Sequence, residues 1–169
     1  MPIFDANGLE IPPPKEEDLE HICELGGQFD ECCFYIEFHD ELLDREAISL
    51  GLALAPTKAW NAGESRPVKY GEIGRTRTDA IGKWSLKIEV ADQLISDALQ
   101  NFFSEDAAEI ETWRQLSARW NGRVALVGKA KNWNREFTLS NEVLACIAAR
   151  GLNLNFDAYF YGEETDEAA

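Results

Sequence analysis

Residues 140–161 read SNEVLACIAARGLNLNFDAYFY, and two periods meet in them. Val143, Leu144, Ile147 and Ala148 recur at the spacing of a helix with one apolar side. Ser140 stands where a hydroxyl can take an orphan N–H of the first turn, and Gly151 where the chain leaves the helix. From Leu152 the period drops to two. Leu152, Leu154, Phe156, Ala158 and Phe160 alternate with Asn153, Asn155, Asp157, Tyr159 and Tyr161, which predicts a strand. A capped helix running straight into an alternating strand sets the class as α+β.

The same grammar recurs upstream. Cys32 to Phe38 reads as a strand with Phe34, Ile36 and Phe38 on one side and Tyr35, Glu37 and His39 on the other. Asp44 is placed to cap a short helix from Arg45 to Leu50, closed by Gly51 with Leu52 just beyond. Trp84, Leu86, Ile88 and Val90 alternate with Ser85, Lys87 and Glu89 in a second strand. Asp92 is the expected cap of a helix from Gln93 to Phe103, and Ser104 that of another carrying Ile110, Trp113, Leu116 and Trp120. A third strand is expected from Val124 to about Lys131. Between Pro56 and Gly82 the glycines and weak periodicity read as a long loop, of a length that is usually functional.

The order is strand–helix–strand, a helical pair, then strand–helix–strand. Two such halves predict one four-stranded, mainly antiparallel sheet with ferredoxin-like split β-α-β halves, joined by the helical pair. Residues 31–162 form the expected single α+β domain. Residues 1–30 read as an arm with a polyproline stretch and a short helix from Lys15 to Leu25, and 163–169 as an acidic tail.

A chain of 169 residues can bury a sizeable core without metals or disulfides. Four cysteines are too few for a disulfide scaffold, so reduced thiols are expected. No apolar run approaches the ~20 residues of a membrane helix, and the N-terminus lacks a basic and apolar leader, so the cytoplasm is the expected location. Sixteen Lys and Arg face thirty-one Asp and Glu, a net charge of −15 that disfavours nucleic acid and anionic membranes and favours a basic protein partner. Residues 58–87 run against that trend, with seven cations and three acids.

No known catalytic or phosphate-loop motif is present. His21, Cys23, Cys32, Cys33 and His39 lack zinc-ligand spacing. Cys33 and His39 share a strand and lie about 20 Å apart at roughly 3.3 Å per residue, too far for a nucleophile and its base; Cys146 with His39 depends on the fold. No metal or cofactor is therefore assigned. The binding candidates are Lys58, Trp60, Gly63, Arg75, Arg77 and Trp84, because tryptophan offers a stiff contact surface and arginine bidentate donors.

The run Gly51-Leu52-Ala53-Leu54-Ala55-Pro56-Thr57 is followed by Lys58, Trp60 and Gly63 and then by Gly82-Lys83-Trp84-Ser85-Leu86. The closing run is Gly151-Leu152-Asn153-Leu154-Asn155-Phe156-Asp157-Ala158-Tyr159. In this order the pieces resemble the bacterial domain-of-unknown-function family numbered 4279, over roughly Cys33 to Tyr161. The resemblance implies a soluble bacterial domain without an established catalytic set, of a kind associated with immunity proteins that neutralise a toxin. The expected function is a non-enzymatic, acidic protein-binding domain of that immunity type, directed at a basic toxin. The alternative is a regulatory domain that binds a small anion or metabolite through the basic 58–84 loop.

Overall fold

Phe34, Ile36 and Phe38 are fully buried and sit on the central strand of the molecule. The computed structural model describes residues 3–4, 10–11, 28–70, 73–91, 93–131 and 135–161. The expected helix at 15–25, the Asp92 cap and the tail at 163–169 lie outside the described residues. A short antiparallel pair, β1 (Ile3–Phe4) and β2 (Glu10–Ile11), precedes the main body. The main strands are β3 (Glu31–Asp40), β4 (Lys58–Trp60), β7 (Gly82–Val90), β8 (Arg123–Ala130) and β9 (Asn153–Phe160). A separate two-stranded ribbon is formed by β5 (Ser65–Tyr70) and β6 (Ile73–Thr78). The helices are α1 (Arg45–Leu52), α2 (Ile95–Glu105), α3 (Ile110–Arg119) and α4 (Asn141–Ala149).

The main sheet has five strands in the order β4-β7-β3-β8-β9 and is mixed, with β8 and β9 parallel and the other pairs antiparallel. This corrects the expected four-stranded, mainly antiparallel, ferredoxin-like sheet. Two physical causes separate the outcomes. The three residues of β4 are too few to show a period, yet they pair with β7 through Lys58–Ser85, Ala59–Trp84 and Trp60–Lys83. Because β4 and β3 both run antiparallel to β7, the chain leaves β3 through α1 and returns in the same direction as β4, and β7 then fills the space between them. The second half has no such insertion. There α4 supplies the crossover that a parallel neighbour requires, and β9 lies directly on β8. The stretch expected as a long loop is therefore β4 and the ribbon.

Local signals explain the helices. Asp44 accepts the Ala47 N–H at 3.0 Å and caps α1, and Ser140 accepts the Val143 N–H at 3.2 Å and caps α4. Gly151, at φ 68°, ends α4. Gly51 does not end α1; Ala53 takes the left-handed position at φ 55°. Gly51 instead admits α3: a Cβ there would stand 3.3 Å from Leu116 Cδ1 and 3.4 Å from Thr112 Cγ2. Ser104 lies inside α2 and donates to the Asn101 carbonyl, so it caps nothing. Asp106 takes over at that junction, accepting from the Ala108 N–H and the Trp113 indole N–H.

The four helices among the described residues all contribute to one core on one face of the sheet. Ile48, Leu99, Trp113 and Val143 pack there with Phe34, Ile36, Phe38, Trp84, Val124 and Leu126. The buried indoles are satisfied: Trp84 donates to Ser49 Oγ at 2.9 Å and Trp120 to the Leu42 carbonyl at 3.2 Å.

Candidate functional site

Alternation along β3 sends Cys33, Tyr35, Glu37 and His39 to the face away from the helices. Glu37 is only 4% exposed. Its carboxylate is held from both neighbouring strands. Lys83 on β7 approaches to 2.5 Å, Arg123 on β8 to 2.7 Å, and Ser85 donates at 3.0 Å. Burial alone would raise this carboxyl, but the hydrogen bonds and charges of Lys83 and Arg123, with Ser85, hold it below the usual glutamate range.

His39 lies at the end of this row, with Nε2 3.7 Å from Glu37. Burial pushes its imidazole down to about 4, helped by Arg123 and Lys83 and opposed by Glu37. The ring is therefore neutral at pH 7, and its contact with Glu37 is not an ion pair.

A second constellation stands beside the first, at the root of the ribbon. Asp79 accepts from Arg66 and from Arg77, each at 2.6 Å. These hydrogen bonds outweigh desolvation and hold the Asp79 carboxyl below its ordinary range. The root is fastened around them. The Gly63 N–H donates to the Asp79 carbonyl at 2.8 Å, Ser65 and Thr78 join their hydroxyls at 2.8 Å, and Arg45 of α1 meets Glu64 at 3.0 Å. Trp60 closes one wall. Its indole donates to the Ile81 carbonyl at 3.1 Å, and the Arg66 guanidinium lies over its ring at 3.8 Å. These side chains line a cavity of about 590 Å³ that reaches His39 and Lys83. A neighbouring cavity of about 740 Å³ shares His39 and Ile81 with it and continues past Arg123 to Asn153 and Asn155.

The structure brings together Trp60 and Arg77 of the expected binding residues. Gly63 serves their geometry: at φ 75° it turns the chain into the ribbon, and a Cβ there would touch nothing within 4 Å. Lys58 lies exposed on β4, and Arg75 lies further out on the ribbon, opposite Val68. Trp84 is in the core and belongs to no site. Outside the expected binding residues, His39, Arg66, Asp79 and Lys83 also line the cleft, and Glu37 with Arg123 adjoins it through Lys83. Glu37 and His39 were legible as one face of β3; that β7 and β8 would flank them was not. Cys146 packs against the core on α4, across the sheet from His39, so no thiol–imidazole pair forms there. Among the described residues no group of three or more His, Cys, Asp and Glu side chains converges on a point.

The far edge of the sheet is different in kind. β9 is its last strand, and no strand pairs with its outer edge among the described residues. Leu154, Phe156, Tyr159 and Phe160 are each 41–53% exposed. The apolar face of β9 is partly covered: Phe29 packs edge-on against Phe156 at 5.6 Å, and Phe137 at 4.6 Å. Asp157 is the only charge on the strand.

A family model described as "Domain of unknown function (DUF4279)" matches residues 28–161. No curated protein and no solved structure matches the chain.

Proposed function

The chain belongs to the DUF4279 family, and from that premise we propose that it is a non-enzymatic binding domain of the bacterial cytoplasm that captures a basic protein through the free edge of β9. The observation that carries this reading is an eight-residue, largely apolar strand at the edge of a sheet, with no strand on its outer side among the described residues. Such an edge is a template for strand addition, and soluble proteins ordinarily blunt it with lysines, prolines or bulges. β9 has none of these.

Charge selects the partner. Residues 151–169 contain Asp157, Glu163, Glu164, Asp166 and Glu167 and no Lys or Arg. A cationic strand would be steered by the field of a −15 chain and would then exchange solvent for backbone hydrogen bonds. A second copy of this chain would be repelled by the same field. Neutralisation of a basic toxin is the biological role that fits this mode.

The test compares the wild type with a Leu154→Lys/Tyr159→Lys double variant as bait in the native lysate, with the retained proteins read by mass spectrometry. The expected result is one basic protein held by the wild type at low salt, weakened by high salt and absent from the variant. Equal retention on both baits, or self-association through β9, would sink the reading.

A further inference from the structure

A further cavity, of about 330 Å³, lies where the start of β3, the start of α2 and the segment before α4 come together. Its walls are apolar: Phe29, Cys32, Leu94, Ile95 and Phe137. Two of them are fixed from the sheet. Phe29 lies over Gly128 of β8, where a Cβ would stand 2.5 Å from Phe29 Cδ1, so the glycine makes room for the ring. Phe137 packs on Phe156 at 4.6 Å and stands 6.5 Å from Phe29.

The wall at α2 breaks a local rule. Position 94 is the N-cap of α2, where Ser, Thr, Asn or Asp would bond an orphan N–H, yet it holds a leucine that caps nothing. Leu94 is 49% exposed and lines the cavity instead. Departures of this kind from local consistency gather at functional sites. Cys32 is half-buried, and burial, followed by the neighbouring Cys33, raises its thiol, so that wall is uncharged. The exposed part of the lining carries the amides of Gln28 and Gln93 and the hydroxyl of Thr138, which donate and accept without charge. Glu136 is the one charged lining residue among the described residues. Asp97, in the first turn of α2, already answers the positive end of that helix. An anion therefore meets a carboxylate at the cavity and a net charge of −15 beyond it.

We propose that this cavity binds a small uncharged aromatic molecule of one or two rings that carries a hydrogen-bonding group. A dry cavity of about 150 Å³ lined by aliphatic and aromatic side chains accepts benzene, so one of about 330 Å³ accommodates a bicyclic ring. The walls take the ring by burial and by contact with Phe29 and Phe137, and the neutral amides and hydroxyl fix its polar end. The site does not use the outer edge of β9. It stands or falls separately from strand capture there, because a chain that captures no strand can still take the ligand.

The experiment is a titration of the full chain with indole and, separately, indole-3-acetate at the same ionic strength, followed by amide chemical shifts. The expected result for indole is saturation with a Kd of about 1 mM or tighter, the range open to a ligand of this size. Shifts should be confined to residues near 28–32, 93–96 and 136–138, and to Phe156 behind the aromatic wall. Indole-3-acetate should bind about threefold more weakly, and Glu136→Gln should narrow that gap while leaving indole binding unchanged. Leu94→Ala should weaken indole binding about fivefold, through the apolar wall it removes. Leu50→Ala, at a side chain 85% exposed and outside the cavity, should leave binding unchanged. No saturation at a few millimolar, equal or tighter binding of the acid, or equal weakening by Leu94→Ala and Leu50→Ala would overturn the proposal. Leu94 and Glu136 are both exposed, so their variants keep the fold, which thermal unfolding of each verifies.

Discussion

Glu37 and Asp79 have the same ion-pair arrangement and opposite settings. Each is a carboxylate between two cations, and the two triads meet around His39. Glu37 sits in the middle of β3, with the β7 ladder on one side and the β8 ladder on the other. Its cations are delivered by backbone that cannot move without breaking the sheet. Asp79 follows the ribbon, which pairs with no other strand among the described residues. The same chemistry is therefore clamped between two strands at Glu37 and held at the margin of the sheet at Asp79.

That contrast is broken most directly by Glu37→Ala. The variant leaves Lys83 and Arg123 uncompensated in a half-buried setting, and stability should fall by about 3–5 kcal/mol in urea unfolding. Asp79→Ala should shift the unfolding midpoint far less. Comparable losses from the two variants would erase the distinction.

Acid should separate them next. The folded-state value of His39, about 4, lies below the 6.5 of an ordinary histidine. Between those values the unfolded chain binds a proton that the native chain does not. The contribution of His39 is thus complete above pH 6.5 and is lost as pH falls toward 4. The loss should be about 2 kcal/mol, after allowing for a side chain that is one-quarter exposed. Glu37, with its carboxyl held below the usual range, contributes above the glutamate value of 4.5 and loses that contribution as pH falls through its lower folded value. His39→Gln should flatten the stability profile between pH 6.5 and 4 while leaving the steeper loss below it. An unchanged profile would show that His39 is not buried neutral.

Smaller effects sharpen the picture. Ser85→Ala removes one neutral donor from a carboxylate that keeps two cations, and should cost about 1 kcal/mol by thermal unfolding. Gly63→Ala forces a side chain onto a left-handed backbone in open space and should cost about 1 kcal/mol. A Gly63→Ala variant as stable as the wild type would show that the turn at the ribbon root tolerates a side chain.

Much of this was legible, and the reasons differ by residue. Asp44 and Ser140 cap the helices they precede, because capping is a local competition for orphan N–H groups. The alternation of β3 placed Glu37 and His39 on one face before any fold was known. The same rule, applied to Trp84 with Leu86, Ile88 and Val90, already argued for the core, and its exposure of 0% agrees. Its place among the binding residues came from residue type alone. β4 was illegible at three residues, and in β5 and β6 the alternation is broken by Pro67 and Gly74.

The sequence by itself determined the presence of both helices and strands, the caps at Asp44 and Ser140, the alternation of the four long strands and the acidic total with its basic middle. All of these are carried by neighbours within a few residues. Tertiary structure alone decided that β7 lies between β3 and β4, and that β9 runs parallel to β8 as the last strand of the sheet among the described residues. It also decided that four cations from β5, β6, β7 and β8 close on two carboxylates. Strand order, edge exposure and the balance of a charge cluster depend on residues far apart in the chain, and no periodicity within one segment records which segment will lie beside it.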